Sequence, residues 1–359
     1  MPKKPPSSCR KNLQAAAPDM FHIVAAGFCL IAGIVAAGLG FTAWKAHAIQ
    51  SQFPNHGQLL DVGGFRMNSL HLPAGGSADL PPIVFIHGAS GNLRDQETAF
   101  RKRLEGRAEL LFVDRPGHGY SERGGPQNDY PDGQAASIAR LLEVRGIKRA
   151  VIVGHSFGGA IAASFALHHP EKTAGLVFLS PATHPWPGGV DWHYNLASSP
   201  YIGWLFTRLL SLPAGLLLLD GATQSVFKPN TRPEKYVTEG APALVLRPSN
   251  FRNNAKDVAN LNDYARRVAP LYRNIMTPTV IVTGDSDDIV AEEIHSQGLA
   301  RDIPGAEVVW VHGLGHKPDY IVPELAVAAI EKVAGFDRNL RAVADAAEAR
   351  LRQSEQAAR

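Results

Sequence analysis

The chain has 359 residues, which is long enough for one large α/β domain with insertions or for two domains. Its 45% hydrophobic and 19% charged residues are ordinary for a globular protein. Residues 1–45 hold five of the 36 basic residues and one of the 33 acidic residues, so the remainder has a net charge of −1. This balance excludes the basic excess typical of a nucleic-acid-binding protein.

An apolar segment follows a basic tail at the N-terminus. Four basic residues lie in residues 1–19, and Met20–Trp44 contains no formally charged residue over about the length that a helix needs to cross a bilayer. Only Lys45 follows closely, so the positive-inside rule predicts a cytoplasmic N-terminus and an extracytoplasmic body. We predict a basic cytoplasmic tail over residues 1–19, a transmembrane anchor in the lipid bilayer over 20–44 and a linker over 45–56.

Two alternatives to an uncleaved anchor remain open at this point. Ala46-His47-Ala48 resembles the small-residue site of a signal peptide, so cleavage after Ala48 would give a secreted or periplasmic protein. A buried core helix is the other alternative, although the segment lacks a polar face. Both cysteines, Cys9 and Cys29, lie in the tail or the apolar segment, so the body has neither a disulfide nor a thiolate metal site.

Short apolar runs after the linker predict strands that alternate with helices. Gly63-Gly64 separates two runs and predicts a hairpin. The predicted strands are Gln58–Val62, Phe65–Leu72, Ile83–Ile86, Leu110–Val113, Ala150–Val153, Leu176–Leu179, Thr279–Thr283 and Val308–Val311. The predicted helices are Gly133–Val144, Phe157–His169, Ala291–Ala300 and a long one from about Val322. This alternation predicts a mostly parallel sheet covered by helices on both faces.

Residues 182–275 interrupt the alternation of strands and helices. They contain aromatic, proline-rich and leucine-rich stretches, which we interpret as a largely helical cap inserted above the sheet. Leu216–Leu219 suggests a second membrane contact but is too short to span a bilayer. Residues 336–359 are rich in alanine, arginine and glutamate, which predicts an exposed helical extension.

Ser156 lies between Gly154 and Gly158 at a predicted turn from strand to helix. A G-x-S-x-G sequence in this context is typical of a nucleophile elbow, which presents a serine hydroxyl above a sheet. The glycines are expected because such a tight turn brings backbones too close for a Cβ atom. The pattern therefore predicts that Ser156 is a catalytic nucleophile.

A serine nucleophile needs a base and an orienting acid, which in this layout follow the serine as acid and then histidine. Downstream of the predicted cap, one strand ends in a loop that offers Asp285, Asp287 and Asp288, and the next ends in a loop that offers His312 and His316. The carboxyl ends of parallel strands meet at one edge of a sheet, so both loops are expected near Ser156.

The stretches IVFIHGAS, LLFVDRPGHGYSER, VIVGHSFGG, VIVTGDSDDIV and HGLGHKPDY occur in this order, and together they resemble the α/β-hydrolase superfamily in its capped form. The resemblance covers residues 57–335 and implies an α/β-hydrolase fold. It selects Asp287 as the acid and His316 as the base. In some members the acid follows the strand before the cap, which makes Asp191 the second candidate.

The resemblance also implies an oxyanion hole made of backbone N–H groups. One donor is expected from Phe157, which follows the nucleophile, and the other from the loop after His87-Gly88. There we choose Ala89, with Ser90 as the alternative.

Other polar residues of these motifs are expected to have structural roles. His87, His118 and His155 are predicted to brace loops, and Asp114 and Arg115 are predicted to form an ion pair at a strand end. Neither His168-His169 nor the group His184, Asp191 and His193 has the spacing of a metal site, so we predict no metal and no cofactor.

The resemblance predicts a serine hydrolase that cleaves a hydrophobic ester through an acyl-enzyme on Ser156. A serine at the elbow argues against the epoxide hydrolases and haloalkane dehalogenases of the family, whose nucleophile there is aspartate. C–C bond hydrolases and cofactor-free haloperoxidase-like enzymes share the same triad and stay open as alternatives. A non-catalytic, membrane-tethered binding protein is the third alternative. The sequence makes no prediction of oligomeric state.

Overall fold

A computed structural model describes residues 1, 20–76 and 78–357. Apart from Met1, the predicted basic tail over residues 1–19 lies outside the described residues, as does Cys9. Eight strands form one sheet in the described part of the chain. They are β1 Gln58–Asp61, β2 Arg66–Leu72, β3 Ile83–Ile86, β4 Leu110–Val113, β5 Ala150–His155, β6 Thr173–Leu179, β7 Thr279–Gly284 and β8 Glu307–Val311.

Helices occupy most of the remaining described chain. They are α1 Met20–Gln52, α2 Leu93–Leu104, α3 Pro131–Arg145, α4 Phe157–His168, α5 Trp192–Ser198, α6 Ile202–Phe206, α7 Leu212–Phe227, α8 Tyr236–Glu239, α9 Pro248–Val268, α10 Glu292–Asp302, α11 Pro318–Ile321, α12 Pro323–Val333 and α13 Leu340–Ala357. A π-helical turn, Thr207–Ser211, joins α6 to α7. Short 3₁₀ helices lie at Pro126–Asp129, Pro170–Lys172, Pro242–Leu246 and Ala269–Asn274.

The strands are arranged in the order β1-β2-β4-β3-β5-β6-β7-β8. β2 is antiparallel to both β1 and β4, and every other neighbouring pair is parallel. The mostly parallel sheet predicted from the sequence is thus confirmed. Because β3 to β8 run the same way, the loops after them meet at one edge, where ligands bind in sheets of this kind.

Alternate residues of each central strand contribute to cores on opposite faces of the sheet. Val84 and Ile86 of β3 pack on one face with residues of α3 and α4, and Ile83 and Phe85 pack on the other with residues of α2 and α12. Strands buried on both faces need continuous apolar runs, which is why the bounds of β3 and β4 match the predictions.

The segment between β6 and β7 is largely helical, with α5 to α9 in succession. Several predicted bounds differ from the structure by one to three residues, and two predictions differ by more. The helix that begins at Met20 continues past Trp44 to Gln52, so most of the predicted linker is helical, because Ile49 and Phe53 bury against Leu212 and Leu244. The long helix predicted from Val322 is two helices, α12 and α13.

In the described chain, two helical runs are long and apolar enough to cross a membrane, judged by length and composition alone. One is α1, and the other is the continuous run Ile202–Phe227 through α6 and α7. The leucine-rich stretch Leu216–Leu219 is therefore part of a longer apolar helix than its sequence alone predicts. None of the most apolar window of α1 is buried, whereas 22% of that window in Ile202–Phe227 is buried.

Candidate active site

Ser156 occupies a sharp turn between β5 and α4. Its φ of 51° and ψ of −120° lie in a region that L-residues rarely adopt, which indicates local backbone strain. A Cβ added to Gly154 would lie 2.5 Å from the Gly158 carbonyl oxygen, and one added to Gly158 would lie 2.3 Å from the Ile86 carbonyl oxygen. The need for glycine is confirmed at both positions, although at Gly158 the obstacle is the neighbouring strand β3.

The loops after β7 and β8 bring Asp287 and His316 together. His316 Nδ1 lies 2.7 Å from Asp287 Oδ2, and both side chains are at least 96% buried. The other carboxylate oxygen of Asp287 accepts hydrogen bonds from the N–H groups of Ile289 and Val290, at 2.9 and 3.0 Å. These two bonds fix the carboxylate, so that Nδ1 of His316 carries the proton and Nε2 is left as a base.

Opposing effects act on the pKa of Asp287. Burial raises it, but the charge and hydrogen bond of His316, together with the N–H groups of Val290 and Ile289, outweigh burial and hold the pKa below its ordinary value. Asp287 is therefore a carboxylate at neutral pH, as the orienting acid of a histidine must be.

The competing acid and base found in the sequence form a separate pair at the surface. His312 Nδ1 contacts Asp285 Oδ2, and the His312 side chain is 76% exposed. Asp288 and Asp191 are also exposed. Of the candidate pairs, only Asp287 and His316 combine burial with a position next to the elbow.

His155 connects the elbow to the His316 loop. Its Nε2 donates to the backbone oxygen of His316 at 2.9 Å, and the two rings lie 5.0 Å apart. Burial lowers the pKa of His155 well below its ordinary value, so the ring is neutral. Among the described residues, no hydrogen bond joins Ser156 Oγ to His316; such bonds are often long without substrate.

The loop after β3 packs directly on the elbow. A Cβ added to Gly88 would lie 3.0 Å from Ser156 Cβ. The Gly88 carbonyl oxygen accepts from His87 Nδ1 at 2.8 Å and from Arg115 Nη2 at 3.2 Å. Because the carbonyl and N–H of one trans peptide point in opposite directions, the Ala89 N–H points away from His87 and Arg115.

The two alternatives for the second oxyanion donor differ in their hydrogen bonds. The Ser90 N–H donates to Asn254 Oδ1 at 2.6 Å, and Asn254 Nδ2 donates to Ser90 Oγ at 3.1 Å. Within the described residues, no group accepts a hydrogen bond from the N–H of Ala89 or of Phe157. An N–H group without an acceptor is available to an incoming oxygen, so either residue can donate to one.

The motif histidines brace loops, as predicted. His87 Nε2 accepts from the Arg115 N–H at 3.1 Å, and His118 Nδ1 contacts the Pro116 carbonyl oxygen at 3.2 Å. The predicted ion pair of Asp114 with Arg115 is wrong. Asp114 instead accepts from backbone N–H groups and from Asn68, because its loop encloses it, and the partner of Arg115 is Asp257 of α9 at 2.8 Å.

Sequence reasoning missed the cap residues that reach this region. Asp257 lies 142 residues after Arg115, and Asn254 lies 164 residues after Ser90. A polar face on α9 is the only signal the sequence holds for these two, and it does not reveal their partners.

A cluster of buried polar side chains lies next to His316. Asp95, His155 and Asp319 have ligand atoms within 4.8 Å of one another, an arrangement compatible with a metal ion. However, Lys317 Nζ lies 2.9 Å from Asp95 Oδ2 and 3.0 Å from Asp319 Oδ2. The lysine ammonium thus supplies the positive charge that these carboxylates need.

Comparisons with known proteins identify the family to which this fold belongs. The family model described as the alpha/beta hydrolase fold matches residues 81–318. The chain is 26% identical over 245 residues to Lipase 3 of Moraxella sp. (strain TA144), covering 66% of this chain and 72% of the lipase. It is 25% identical over 283 residues to 2-hydroxymuconate semialdehyde hydrolase of Pseudomonas putida, covering 74% and 89% respectively.

Among solved structures, a hydrolase from Pseudomonas aeruginosa PA01 has the same fold. It matches with a TM-score of 0.62 and 21% identity, over 79% of this chain and all of that one. With the sheet order, the strained elbow and the family match in agreement, the chain is a hydrolase that belongs to the α/β-hydrolase fold family.

Proposed function

We propose that the protein is a serine hydrolase that cleaves a hydrophobic carboxylic ester or a related acyl substrate. The observation that carries the proposal is the buried hydrogen bond between Asp287 and His316, at the sheet edge where β5 ends in Ser156. Structural histidine–carboxylate pairs do not require a strained serine beside them, whereas acyl transfer requires all three groups.

In the proposed reaction, Ser156 Oγ transfers its proton to His316 Nε2 as it attacks the substrate carbonyl carbon. Asp287 stabilises the imidazolium through Nδ1–H. The tetrahedral intermediate collapses when His316 donates that proton to the leaving alcohol, which leaves an acyl group on Ser156. A water molecule, deprotonated by His316, then attacks the acyl-enzyme, and His316 returns this proton to Ser156 Oγ as the carboxylic acid is released.

The negative charge on the substrate oxygen is assigned to the N–H groups of Ala89 and Phe157. Both lack an acceptor among the described residues, and the N–H of Ser90 is engaged by Asn254. We therefore prefer Ala89 to Ser90. Losing one such donor costs about 10² to 10³ in kcat.

The substrate class follows from the cap and from the relatives. We propose that residues 182–275 form a cap over a catalytic domain of residues 57–335, with 336–359 as a helical extension. The Moraxella relative is named a lipase, and the cap segment of this chain is rich in leucine and aromatic residues. Both favour an ester with a large hydrophobic part. The Pseudomonas putida relative favours C–C bond hydrolysis as the second candidate.

We further propose that α1 anchors the enzyme in a membrane, with the N-terminus in the cytoplasm and the catalytic domain on the other side. The even apolar surface of α1 supports an anchor, and the helix runs without interruption through Ala46 and Ala48, which supports an uncleaved form. Release after cleavage at Ala48 is the alternative. A reporter fused to the C-terminus should be active only outside the cytoplasm, and cytoplasmic activity would overturn this topology.

The catalytic proposal is tested by labelling the full-length protein with a fluorophosphonate probe and measuring hydrolysis of p-nitrophenyl esters of increasing chain length. Labelling and hydrolysis should vanish in Ser156→Ala and persist in Ser225→Ala, which alters an exposed serine on α7. Absence of labelling in folded protein would refute the serine hydrolase. Labelling without ester cleavage, but with cleavage of a ring-fission product, would favour the C–C hydrolase.

A further inference from the structure

The continuous helical run Ile202–Phe227 exposes apolar side chains that no described residue covers. Together with Tyr201, which lies just before the run, they form what we call the cap ridge: Tyr201, Ile202, Leu205, Leu210, Leu217 and Leu218. Leu217 is 86% exposed and Leu210 is 58% exposed. Exposed apolar surfaces of this extent mark contact with a partner or a membrane.

We propose that the cap ridge lies in the same bilayer that holds α1, so that the cap is partly immersed in the lipid leaflet from which α1 emerges. This inference rests on the proposed anchor and adds a second, peripheral contact with the membrane.

Helical spacing separates the cap ridge from the side of the helix that packs on the body. Leu210, Leu217 and Leu218 are spaced i, i+7 and i+8, which places them on one face of the helix. Leu212 is fully buried, and Leu216 and Leu219 pack around the Ile49 and Phe53 cluster. With one face held by protein, the run is suited to lie along a bilayer surface rather than to cross it.

The contact between α1 and the cap determines the depth of the ridge. A Cβ added to Gly38 would lie 3.0 Å from Leu209 Cδ2. Gly38 lies six residues before Trp44, or about 9 Å along a helix that rises about 1.5 Å per residue. Leu209 therefore lies about 9 Å below the level of Trp44 when α1 stands along the membrane normal, within the half-thickness of about 15 Å of a hydrocarbon core.

Placing the membrane span elsewhere along α1 does not remove Leu209 from the bilayer. Asp19 precedes the apolar segment, and a span of about 20 residues that starts at Met20 ends near Leu39. Gly38 lies inside the span whether the span ends near Leu39 or at Trp44, and Leu209 lies beside Gly38. The neighbouring ridge residues, Leu205 and Leu210, are brought to similar depth.

The composition of the cap favours lipid over a protein partner or a second copy of the chain. Residues 192–219 contain no acidic residue and one basic residue, Arg208. The Arg208 guanidinium lies 4.4 Å from the centroid of the Trp204 ring, and both line an open groove of about 460 Å³ between the cap and residues Thr42 and Ala46 of α1. Tryptophan and arginine near the end of a span are typical of the headgroup region.

This placement has a consequence for the substrate. Asn230, three residues after the end of α7, donates to the Gly313 carbonyl oxygen at 2.7 Å and accepts from the Gly315 N–H at 2.9 Å, in the loop that carries His316. The cap thus connects the lipid leaflet to the catalytic centre, and we assign membrane-dissolved amphiphilic esters as the substrate class.

Depth-dependent quenching tests the proposal with the full-length protein in phosphatidylcholine vesicles. A fluorophore is attached to Leu217→Cys or to Leu210→Cys, each in a Cys9→Ser, Cys29→Ser background. The control is Met276→Cys, an exposed residue just before the amino end of β7, at the sheet edge opposite the catalytic centre. Cys29, within α1, is labelled in a Cys9→Ser background and reports on the anchor itself.

Lipids spin-labelled in the upper part of the acyl chain should quench both ridge labels several-fold more than the Met276→Cys label. Ridge labels quenched no more than the control, with Cys29 quenched by lipids spin-labelled in mid-chain, would overturn the cap ridge and leave the anchor intact. An unquenched Cys29 label would overturn the anchor, and this inference with it, without touching the catalytic proposal.

Discussion

Replacing Asp287 by asparagine tests the central pair of the proposed triad with minimal change in shape. The amide oxygen of Asn can still accept the N–H groups of Ile289 and Val290, so its NH₂ group faces His316 Nδ1. That nitrogen must then accept, which moves the imidazole proton to Nε2, the atom required to deprotonate Ser156. The histidine is held in the wrong tautomer.

The expected loss follows from this change of tautomer. An aspartate-to-asparagine change in a serine triad lowers kcat by about 10⁴, or about 5 kcal/mol of transition-state stabilisation. Asp285→Asn is the matched control, because Asp285 makes an equivalent contact with His312 at the surface. Surface pairs contribute about 0–1 kcal/mol, so its activity should stay within about fivefold of wild type.

The assay is kcat/KM for a short p-nitrophenyl ester at neutral pH, with thermal unfolding to verify that each variant is folded. Equal losses in Asp287→Asn and Asp285→Asn would refute the reasoning. A loss of about 10⁴ in Asp191→Asn, with activity retained in Asp287→Asn, would move the acid to the alternative position.

Three further predictions concern the scaffold around the site. Gly158→Ala should destabilise the fold by about 1–3 kcal/mol or more, since its Cβ would meet the Ile86 carbonyl at 2.3 Å; an unchanged urea midpoint would contradict this. Asp257→Asn should cost about 3–5 kcal/mol in urea unfolding, because Arg115, whose pKa burial lowers to about 10, stays charged without a counter-ion; a loss below about 1 kcal/mol would count against a buried pair. Stability should also fall below about pH 6.5, because the unfolded chain takes up protons that three buried, neutral histidines do not bind in the fold. These histidines, whose pKa values burial lowers well below the ordinary value, are His87, His118 and His155. Where all three are protonated in the unfolded chain and neutral in the fold, the free energy of unfolding falls by about 4 kcal/mol per pH unit. An equal free energy of unfolding in urea at pH 7.5 and pH 5.5 would contradict the prediction.

The strands of the sheet were predictable because each one is determined by the pattern of apolar residues within its own segment. Ile83–Ile86 and Leu110–Val113 are strands at the predicted bounds, since a strand buried on both faces needs an uninterrupted apolar run. The elbow was predictable for a similar reason, because Gly154 and Gly158 are required by contacts within one turn and its adjacent strand.

The cap and its contacts with the catalytic loops were not predictable in the same way. Asn254 distinguishes Ser90 from Ala89, and Asp257 takes the place of Asp114 as the partner of Arg115, through contacts between residues more than 100 positions apart. Nothing local to α9 indicates which loop it faces. The catalytic roles of the site residues remain predictions that rest on chemistry, with the Asp287–His316 geometry as their support.

The buried Arg115–Asp257 pair distinguishes α9, which it ties to the catalytic domain, from the other cap helices α5 to α7. Through it α9 is fastened to the loop that supports Gly88, so moving α9 would expose two charges and disturb the proposed oxyanion donor Ala89 at once. Helices α5 to α7, all within the described chain, form no ion pair or hydrogen bond with Arg115. We therefore expect substrate entry and product exit to involve α5 to α7, and an exchange of residues 185–227 between relatives to alter which molecules enter. Asn230 marks where such an interchangeable part has to end, because its side chain hydrogen bonds with Gly313 and Gly315 in the loop that carries His316.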